Sequence, residues 1–135
     1  MLTYLIDTNV VTESIKPQPD QGVAAWMANV DPGQCCLSIL TVAELRRGIA
    51  LLEARNATTK AQQITAWLER VEEEYAGRIL GITASVARAW AYLPGRPTDI
   101  DSLIAATALA HDLTVVTRNM TDFDRIGVKT LNPFA

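Results

Sequence analysis

The sequence has few of the residues on which several common kinds of site depend. Its 135 residues include one histidine and only two cysteines, the adjacent Cys35 and Cys36. Neither cysteine has a Cys-x-x-Cys partner, so we interpret both as reduced strand residues of a cytoplasmic protein, with no metal or redox role. No apolar run approaches the roughly 18 residues of a membrane span. The N-terminus has neither the basic start nor the long apolar stretch of a signal peptide.

A net positive charge and phosphate-binding glycine motifs are also absent. The net charge is −3, without the positive excess that is typical of a nucleic-acid-binding domain. A nuclease is still compatible with this charge, because divalent cations offset the carboxylates of such a site. No glycine motif of the P-loop or Rossmann type is present. The length predicts one domain covering residues 1–135.

Short apolar runs alternate with helical patterns along the chain. The predicted strands cover residues 4–6, 35–37, 78–82, 113–117 and 128–131, and the two longest predicted helices cover 38–55 and 60–75. This alternation predicts an α/β fold with a central parallel β-sheet flanked by helices on both faces. The two long helices are expected to form a helical arm beside the sheet.

Four carboxylates lie at or near the ends of these elements. Asp7 follows the first strand, Glu44 lies in the first turns of the best helix, Asp101 opens an Ala-rich helix, and Asp122 comes shortly after the fourth strand. In such folds the strand ends and the starts of the following helices share one edge, where we expect these acids to meet. Carboxylates without His or Cys partners suit Mg²⁺ or Mn²⁺, which activates water and stabilises charge on a phosphodiester.

Five polar or basic side chains accompany the acids at the strand ends. Thr8 and Asn9 follow the first strand, and Thr117 and Asn119 follow the fourth. We expect these four side chains to hold the carboxylates or ordered waters. Arg118 is the best candidate among the arginines for a contact with a phosphate.

Three of the acids also have a structural interpretation. The stretches Thr41–Glu44 and Thr98–Asp101 have the spacing of a capping box, with Ser38 as an alternative cap for the first of these helices. Asp122 alone is compatible with a turn or a cap. The acid after the first strand is harder to explain in this way, because a charge at the end of a buried strand needs a partner. Spacing alone leaves both interpretations of the cluster open.

Four short motifs follow one another along the chain. They are Leu-Ile-Asp7-Thr-Asn9, Thr41-x-x-Glu44-Leu, Asp101-x-x-Ile-Ala-Ala, and Val-Thr-Arg-Asn119-x-x-Asp122-Phe. In this order they resemble the PIN-domain family, and within it the VapC-type ribonuclease toxins of type II toxin–antitoxin systems, including the FitB-like branch. The resemblance extends over nearly the whole chain.

The resemblance implies a PIN-like three-layer fold and a Mg²⁺-dependent endoribonuclease, with Mn²⁺ as an alternative ion. It implies that Asp7, Glu44, Asp101 and Asp122 are catalytic, with Asp7 and Asp101 as the firmest metal ligands. It further implies a homodimer inhibited by a VapB- or FitA-like antitoxin, which binds operator DNA in a heterotetramer or a larger assembly.

Three other classes of protein compete with this interpretation of the sequence. An aspartyl-nucleophile phosphohydrolase needs a second acid two residues after the first, where this chain has Asn9. A receiver-like signalling domain needs an Asp after the third strand, where Gly81 and Ile82 stand, and a Lys near the end of the sheet, whereas Lys129 lies inside the last predicted strand. A non-catalytic PIN-like binding module is opposed only by the complete set of acids.

Overall fold

The sheet contains five parallel strands in the order β3-β2-β1-β4-β5. The computed structural model describes residues 1–95 and 99–135. In these residues the strands are β1 (Tyr4–Ile6), β2 (Cys35–Ser38), β3 (Ile79–Leu80), β4 (Thr114–Val116) and β5 (Thr130–Leu131). Tyr4 is in register with Cys35 on one side and with Thr114 on the other, so β1 is central. The predicted parallel sheet is confirmed.

Helices cover both faces of this sheet and make a three-layer fold. Those described are α1 (Thr8–Val11), α2 (Gln21–Asn29), α3 (Ile39–Ala54), α4 (Thr58–Glu74), α5 (Ala84–Ala91), α6 (Ile100–His111) and α7 (Met120–Asp124). The first four contribute to one layer, in which α3 and α4 pack together as the predicted arm, and the last three form the other. None of the described helices is long and apolar enough to cross a membrane.

Side-chain alternation along the strands divides the core in two. Leu5 and Cys36 pack with α6 and α7, whereas their neighbours Ile6 and Cys35 pack with the helices of the other layer. Successive residues of a strand point to opposite faces, which explains this division. It also explains why the adjacent cysteines are both buried and both free, as predicted.

The two edge strands are shorter than predicted. Residues 78–82 yield only Ile79–Leu80, because β2 ends opposite Leu80 and leaves the next residues without a partner. Residues 128–131 yield only Thr130–Leu131. There Gly127 turns the chain with φ 86°, and the Val128 amide donates to the carbonyl of Phe123. These residues therefore close α7 before the last strand begins.

Helix α3 is capped by Ser38, whose Oγ accepts from the amide of Leu40 at 3.0 Å. Of the two caps that the sequence offers for this helix, Ser38 is therefore confirmed and the capping box over Thr41–Glu44 is wrong. It would need Thr41 as the first residue outside the helix, whereas Thr41 lies inside the first turn and is fully buried. Glu44 is left free for another role in the second turn.

Helix α6 is capped by Asp99, whose Oδ1 accepts from the amide of Ser102 at 2.9 Å. The predicted cap, Thr98, lies outside the described residues. Because Asp99 already serves as the cap, Asp101 is not required for this purpose in the first turn of the helix.

The segment Asn132–Ala135 lies against the start of α2. A Cβ atom built on Gly22 would come within 2.4 Å of the Pro133 carbonyl oxygen and 2.6 Å of the Ala135 amide nitrogen. Asp20 caps α2 through the amide of Val23 and also accepts from the amide of Ala135 at 3.0 Å. Glycine is therefore required at position 22 for this close approach.

We predict that Gly22→Ala lowers the free energy of unfolding by about 1–2 kcal/mol, because the added methyl group forces the segment away from α2. Gly48→Ala is the matched control. Gly48 also lies in a helix but has open space around it. The control should stabilise the protein by roughly 0.5–1 kcal/mol through helix propensity. Urea unfolding measures both, and equal stabilisation by the two changes would contradict the packing described.

Candidate active site

Asp7 stands where β1 ends and α1 begins. Its backbone is extended (φ −73°, ψ 157°), and its Oδ1 caps α1 by accepting from the amide of Thr8 at 2.8 Å. The backbone amide of Asp7 donates to Val116 in the neighbouring strand β4. This position at the carboxyl edge of the central strand buries the carboxylate, which is 5% exposed.

Two side chains hold the other carboxylate oxygen of Asp7. The Thr117 hydroxyl donates to Oδ2 at 2.8 Å, and the Asn9 amide donates to it at 3.3 Å. Burial raises the pKa of the Asp7 carboxyl above its usual 3.8, and the hydrogen bonds from Thr117 and Thr8 offset part of this rise. Within residues 1–95 and 99–135, no Lys or Arg forms an ion pair with Asp7.

Thr8 connects Asp7 to Glu44. Its amide binds Asp7, and its hydroxyl donates to Glu44 Oε1 at 2.8 Å. The buried Thr41 hydroxyl, one turn before Glu44 on α3, lies 3.2 Å from the Thr8 hydroxyl. The second turn of α3 is therefore fixed beside the end of β1.

Asp122 is connected to Asp7 through the loop that follows β4. The Asn119 amide side chain donates to Asp122 Oδ2 at 2.8 Å, and the Asn119 backbone amide donates to the Thr117 hydroxyl oxygen at 2.9 Å. The same hydroxyl donates to Asp7. Asp122 itself lies exposed in the first turn of α7.

Asp101, in the first turn of α6, is half-buried and close enough to the other acids to be affected by their charges. Burial raises the pKa of its carboxyl from 3.8 to about 6, and the charges of Asp7, Asp99, Glu44 and Asp122 add to the effect. Asp99 is not among the site residues predicted from the sequence. The pair of acids in Asp99-Ile-Asp101 is the pattern that indicates it. One acid caps the helix, and the other, Asp101, is not needed as a cap and is available to the site.

Arg118 stacks its side chain on an aromatic ring and, among the described residues, forms no ion pair with the acids. Its backbone amide donates to Asn9 Oδ1 at 3.2 Å, so its backbone is tied to the site. Its guanidinium lies over the ring of Phe134, 3.8 Å from the ring centroid. No sequence pattern indicated this partner, because Phe134 lies in the distant segment that packs on α2.

The structure therefore brings the predicted residues together at one edge of the sheet. Nevertheless, among the side chains of residues 1–95 and 99–135, no three of His, Cys, Asp or Glu form a group arranged to bind a metal ion. The chemistry of the donors still fits a hard cation. All the acids offer oxygen, and Asp101 is destabilised as an anion by burial and by the other acids.

A comparison with protein families identifies the fold. The model of the PIN domain matches residues 4–129. The chain belongs to the PIN-domain family. Among its relatives, the toxin FitB of Neisseria gonorrhoeae is 38% identical, with 96% of this chain and 97% of FitB covered. The VapC ribonuclease Y4jK of Sinorhizobium fredii is 34% identical, with 96% of each chain covered.

A solved PIN-domain structure supports the same fold. One chain of the structure of FitAB bound to an IR36 DNA fragment superposes with a TM-score of 0.82 at 33% identity. The match covers 98% of this chain and 96% of that chain. The three-layer PIN-like fold expected from the motifs is therefore confirmed, as is the similarity to FitB and VapC toxins.

We predict that Asp101→Asn stabilises the metal-free protein at neutral pH by about 1 kcal/mol, or roughly 3–6 °C in Tm, because it removes one anion from a crowded group. The folded pKa of about 6 lies above the unfolded 3.8. The ionised group therefore opposes folding above pH 6, and its cost disappears as the pH falls to 3.8.

Scanning calorimetry in chelator, at neutral pH and near pH 3.8, measures the difference in Tm between Asp101→Asn and the unmodified protein. Asp112→Asn is the matched control, because Asp112 is exposed at the far end of α6 and asparagine tolerates its positive φ of 53°. An Asp101→Asn gain that persists undiminished at low pH would be inconsistent with a charge effect.

Proposed function

We propose that this PIN-domain protein is a metal-dependent endoribonuclease that hydrolyses RNA phosphodiester bonds with activated water. The observation that carries the proposal is Asp7, a buried carboxylate without a described basic partner, surrounded by three further acids at the carboxyl edge of the sheet. A structural role for such a group is costly, because burying a charge without a counter-ion is unfavourable. A bound cation would compensate that cost.

Asp7 and Asp101 would hold Mg²⁺, or Mn²⁺ in its place, and Glu44 and Asp122 would complete the acidic site. When bound, such an ion lowers the pKa of water and offsets charge on the phosphodiester. Asp7, Glu44, Asp101 and Asp122 are accordingly the proposed catalytic residues. The name of the relative Y4jK as a VapC ribonuclease supports the proposed activity on RNA.

The neighbouring polar residues keep the acids in position. Thr117 and Asn9 hold one oxygen of Asp7, and Thr8 fixes the other while its hydroxyl orients Glu44. Asn119 holds Asp122. The hydrogen bonds from Thr117 and Thr8 favour the ionised form of Asp7 that a cation requires, and together the hydrogen bonds limit the acids to few rotamers.

The proposed biological role is that of the toxin in a toxin–antitoxin pair. The relative FitB is named a toxin, and the FitAB structure contains a DNA fragment. We therefore propose a homodimer whose partner is a FitA- or VapB-like antitoxin that inhibits the site and binds operator DNA. Copurification of a small inhibitory protein with the co-expressed operon, and loss of RNA cleavage in that complex, would test this role.

We predict that Asp7→Asn lowers Mg²⁺-dependent RNA cleavage by roughly a hundredfold or more, because the buried group would no longer provide an anionic ligand. A panel of structured RNAs, incubated with Mg²⁺, with Mn²⁺ and with chelator, measures the effect. Asp112→Asn makes the same chemical change at the opposite edge of the sheet and should retain full activity. Cleavage by Asp7→Asn at the unmodified rate would refute the role assigned to Asp7.

We predict that Thr117→Val lowers the affinity for the metal or the cleavage rate by roughly 10–100-fold, because Asp7 loses its shortest side-chain hydrogen bond. Thr107→Val is the matched control. Thr107 is equally buried, but its hydroxyl donates within α6 to the carbonyl of Leu103. If Thr117→Val and Thr107→Val have the same affinity for the metal and the same cleavage rate, Thr117 has no special role in the site.

The alternative functions predict different results in the same assays. An aspartyl-nucleophile phosphohydrolase would hydrolyse a small phosphate ester such as p-nitrophenyl phosphate and form an acid-stable phosphoprotein. Asn9 donates to Asp7 and has no acidic group with which to serve as a general acid, which disfavours this chemistry. A non-catalytic binding module would bind RNA without metal-dependent turnover.

A further inference from the structure

The guanidinium of Arg118 is fixed in place but retains free hydrogen-bond donors. It lies 3.8 Å from the centroid of the Phe134 ring, and the residue is exposed. Among the residues that the structure describes, no carboxylate forms an ion pair with it. A guanidinium stacked on an aromatic ring keeps its N–H groups in its own plane, where they can bind a phosphate.

This cation is carried by the same segment that organises the acidic cluster. Arg118 follows Thr117, which donates to Asp7, and its backbone amide donates to the Asn9 side chain, which also binds Asp7. A chain of RNA phosphates that passes over the acids would therefore be within reach of the Arg118 side chain. One positive contact there would offset part of the repulsion between RNA and the acids.

Phe134 is itself held firmly enough to position another group. Its ring packs against the core cluster on the α1–α4 side of the sheet, and its amide donates to Asn132 Oδ1 at 3.0 Å. The next residue, Ala135, is bound to Asp20, and Pro133 lies against Gly22 without space for a methyl group. The ring therefore forms a fixed surface beneath the guanidinium.

Two carboxylates near Arg118 explain why a fixed surface is needed. Lys16 and the Asp20 amide lower the pKa of the Glu13 carboxyl, and the Arg118 charge adds to this effect. The amides of Ala135 and Val23 lower the pKa of the Asp20 carboxyl, and the Arg118 charge again adds to the lowering. Without the ring, the guanidinium would be free to pair with one of these anions instead of a phosphate.

We propose that Phe134 is a positioning residue for RNA binding, and that its ring holds the Arg118 guanidinium as a phosphate contact beside the acidic cluster. The inference rests on the proposed ribonuclease function and adds to it a specific contact between the Arg118 guanidinium and a phosphate of the RNA backbone. It assigns a role to the segment Asn132–Ala135, which contains none of the four acids.

The test measures binding of a short fluorescent single-stranded RNA to the full chain carrying Asp7→Asn, so that cleavage does not intervene. Fluorescence anisotropy is recorded over a range of salt concentrations. Phe134→Leu is expected to weaken binding roughly threefold to tenfold at low salt. It should also reduce the slope of log K against log salt by about 0.7–1, the value for one lost phosphate contact on a single strand.

Three further variants distinguish positioning from a general loss of structure. Phe134→Tyr keeps an aromatic face and should bind as the parent does. Arg118→Gln should match Phe134→Leu in affinity and slope, and the double variant should be no weaker than either single one. Trp26→Leu removes another half-buried aromatic contact, with Tyr4, and should lower Tm without changing the salt slope.

The outcomes separate this inference from the function on which it rests. An unchanged salt slope in Phe134→Leu, or a further loss of affinity when Arg118→Gln is added to it, would overturn the positioning role. Metal-dependent RNA cleavage by the unmodified chain would still uphold the function. Absence of RNA binding by the parent, together with absence of cleavage by the unmodified chain, would overturn both.

Discussion

The organisation of the candidate site depends on the burial of one carboxylate at the end of the central strand. Asp7 is 5% exposed, and its two oxygens accept hydrogen bonds from Thr8, Thr117 and Asn9. These donors come from the ends of β1 and β4, two strands that are neighbours in the sheet. The parallel register is therefore what assembles the donors around the charge.

The remaining acids are linked to this one by hydrogen bonds or by charge. Thr8 carries the connection to Glu44, and the Thr117 hydroxyl carries it through Asn119 to Asp122. Asp101 is connected through space, since burial and the charges of the other acids raise the pKa of its carboxyl to about 6. A site with this much mutual repulsion stores free energy that a bound divalent cation would release.

The sequence was sufficient for the sheet and for the meeting of the acids, because strand ends and helix starts obey a general rule of parallel α/β folds. It was insufficient to decide which residues cap helices α3 and α6. Both capping-box patterns had the right spacing, but the cap of α3 is Ser38, the alternative to Thr41, and the cap of α6 is Asp99. Spacing alone therefore did not locate the first helical turn. Contacts between distant segments, such as that of Arg118 with Phe134, have no local pattern that could predict them.

The most direct test of the central claim is calorimetric titration of Mn²⁺ into the purified protein, beside the Asp7→Asn variant. If the buried carboxylate anchors a cation site, the unmodified protein will bind Mn²⁺ saturably and compete for Mg²⁺, and the variant will lose that binding while remaining folded. Equal Mn²⁺ binding by the two proteins, or none by either, would contradict the account.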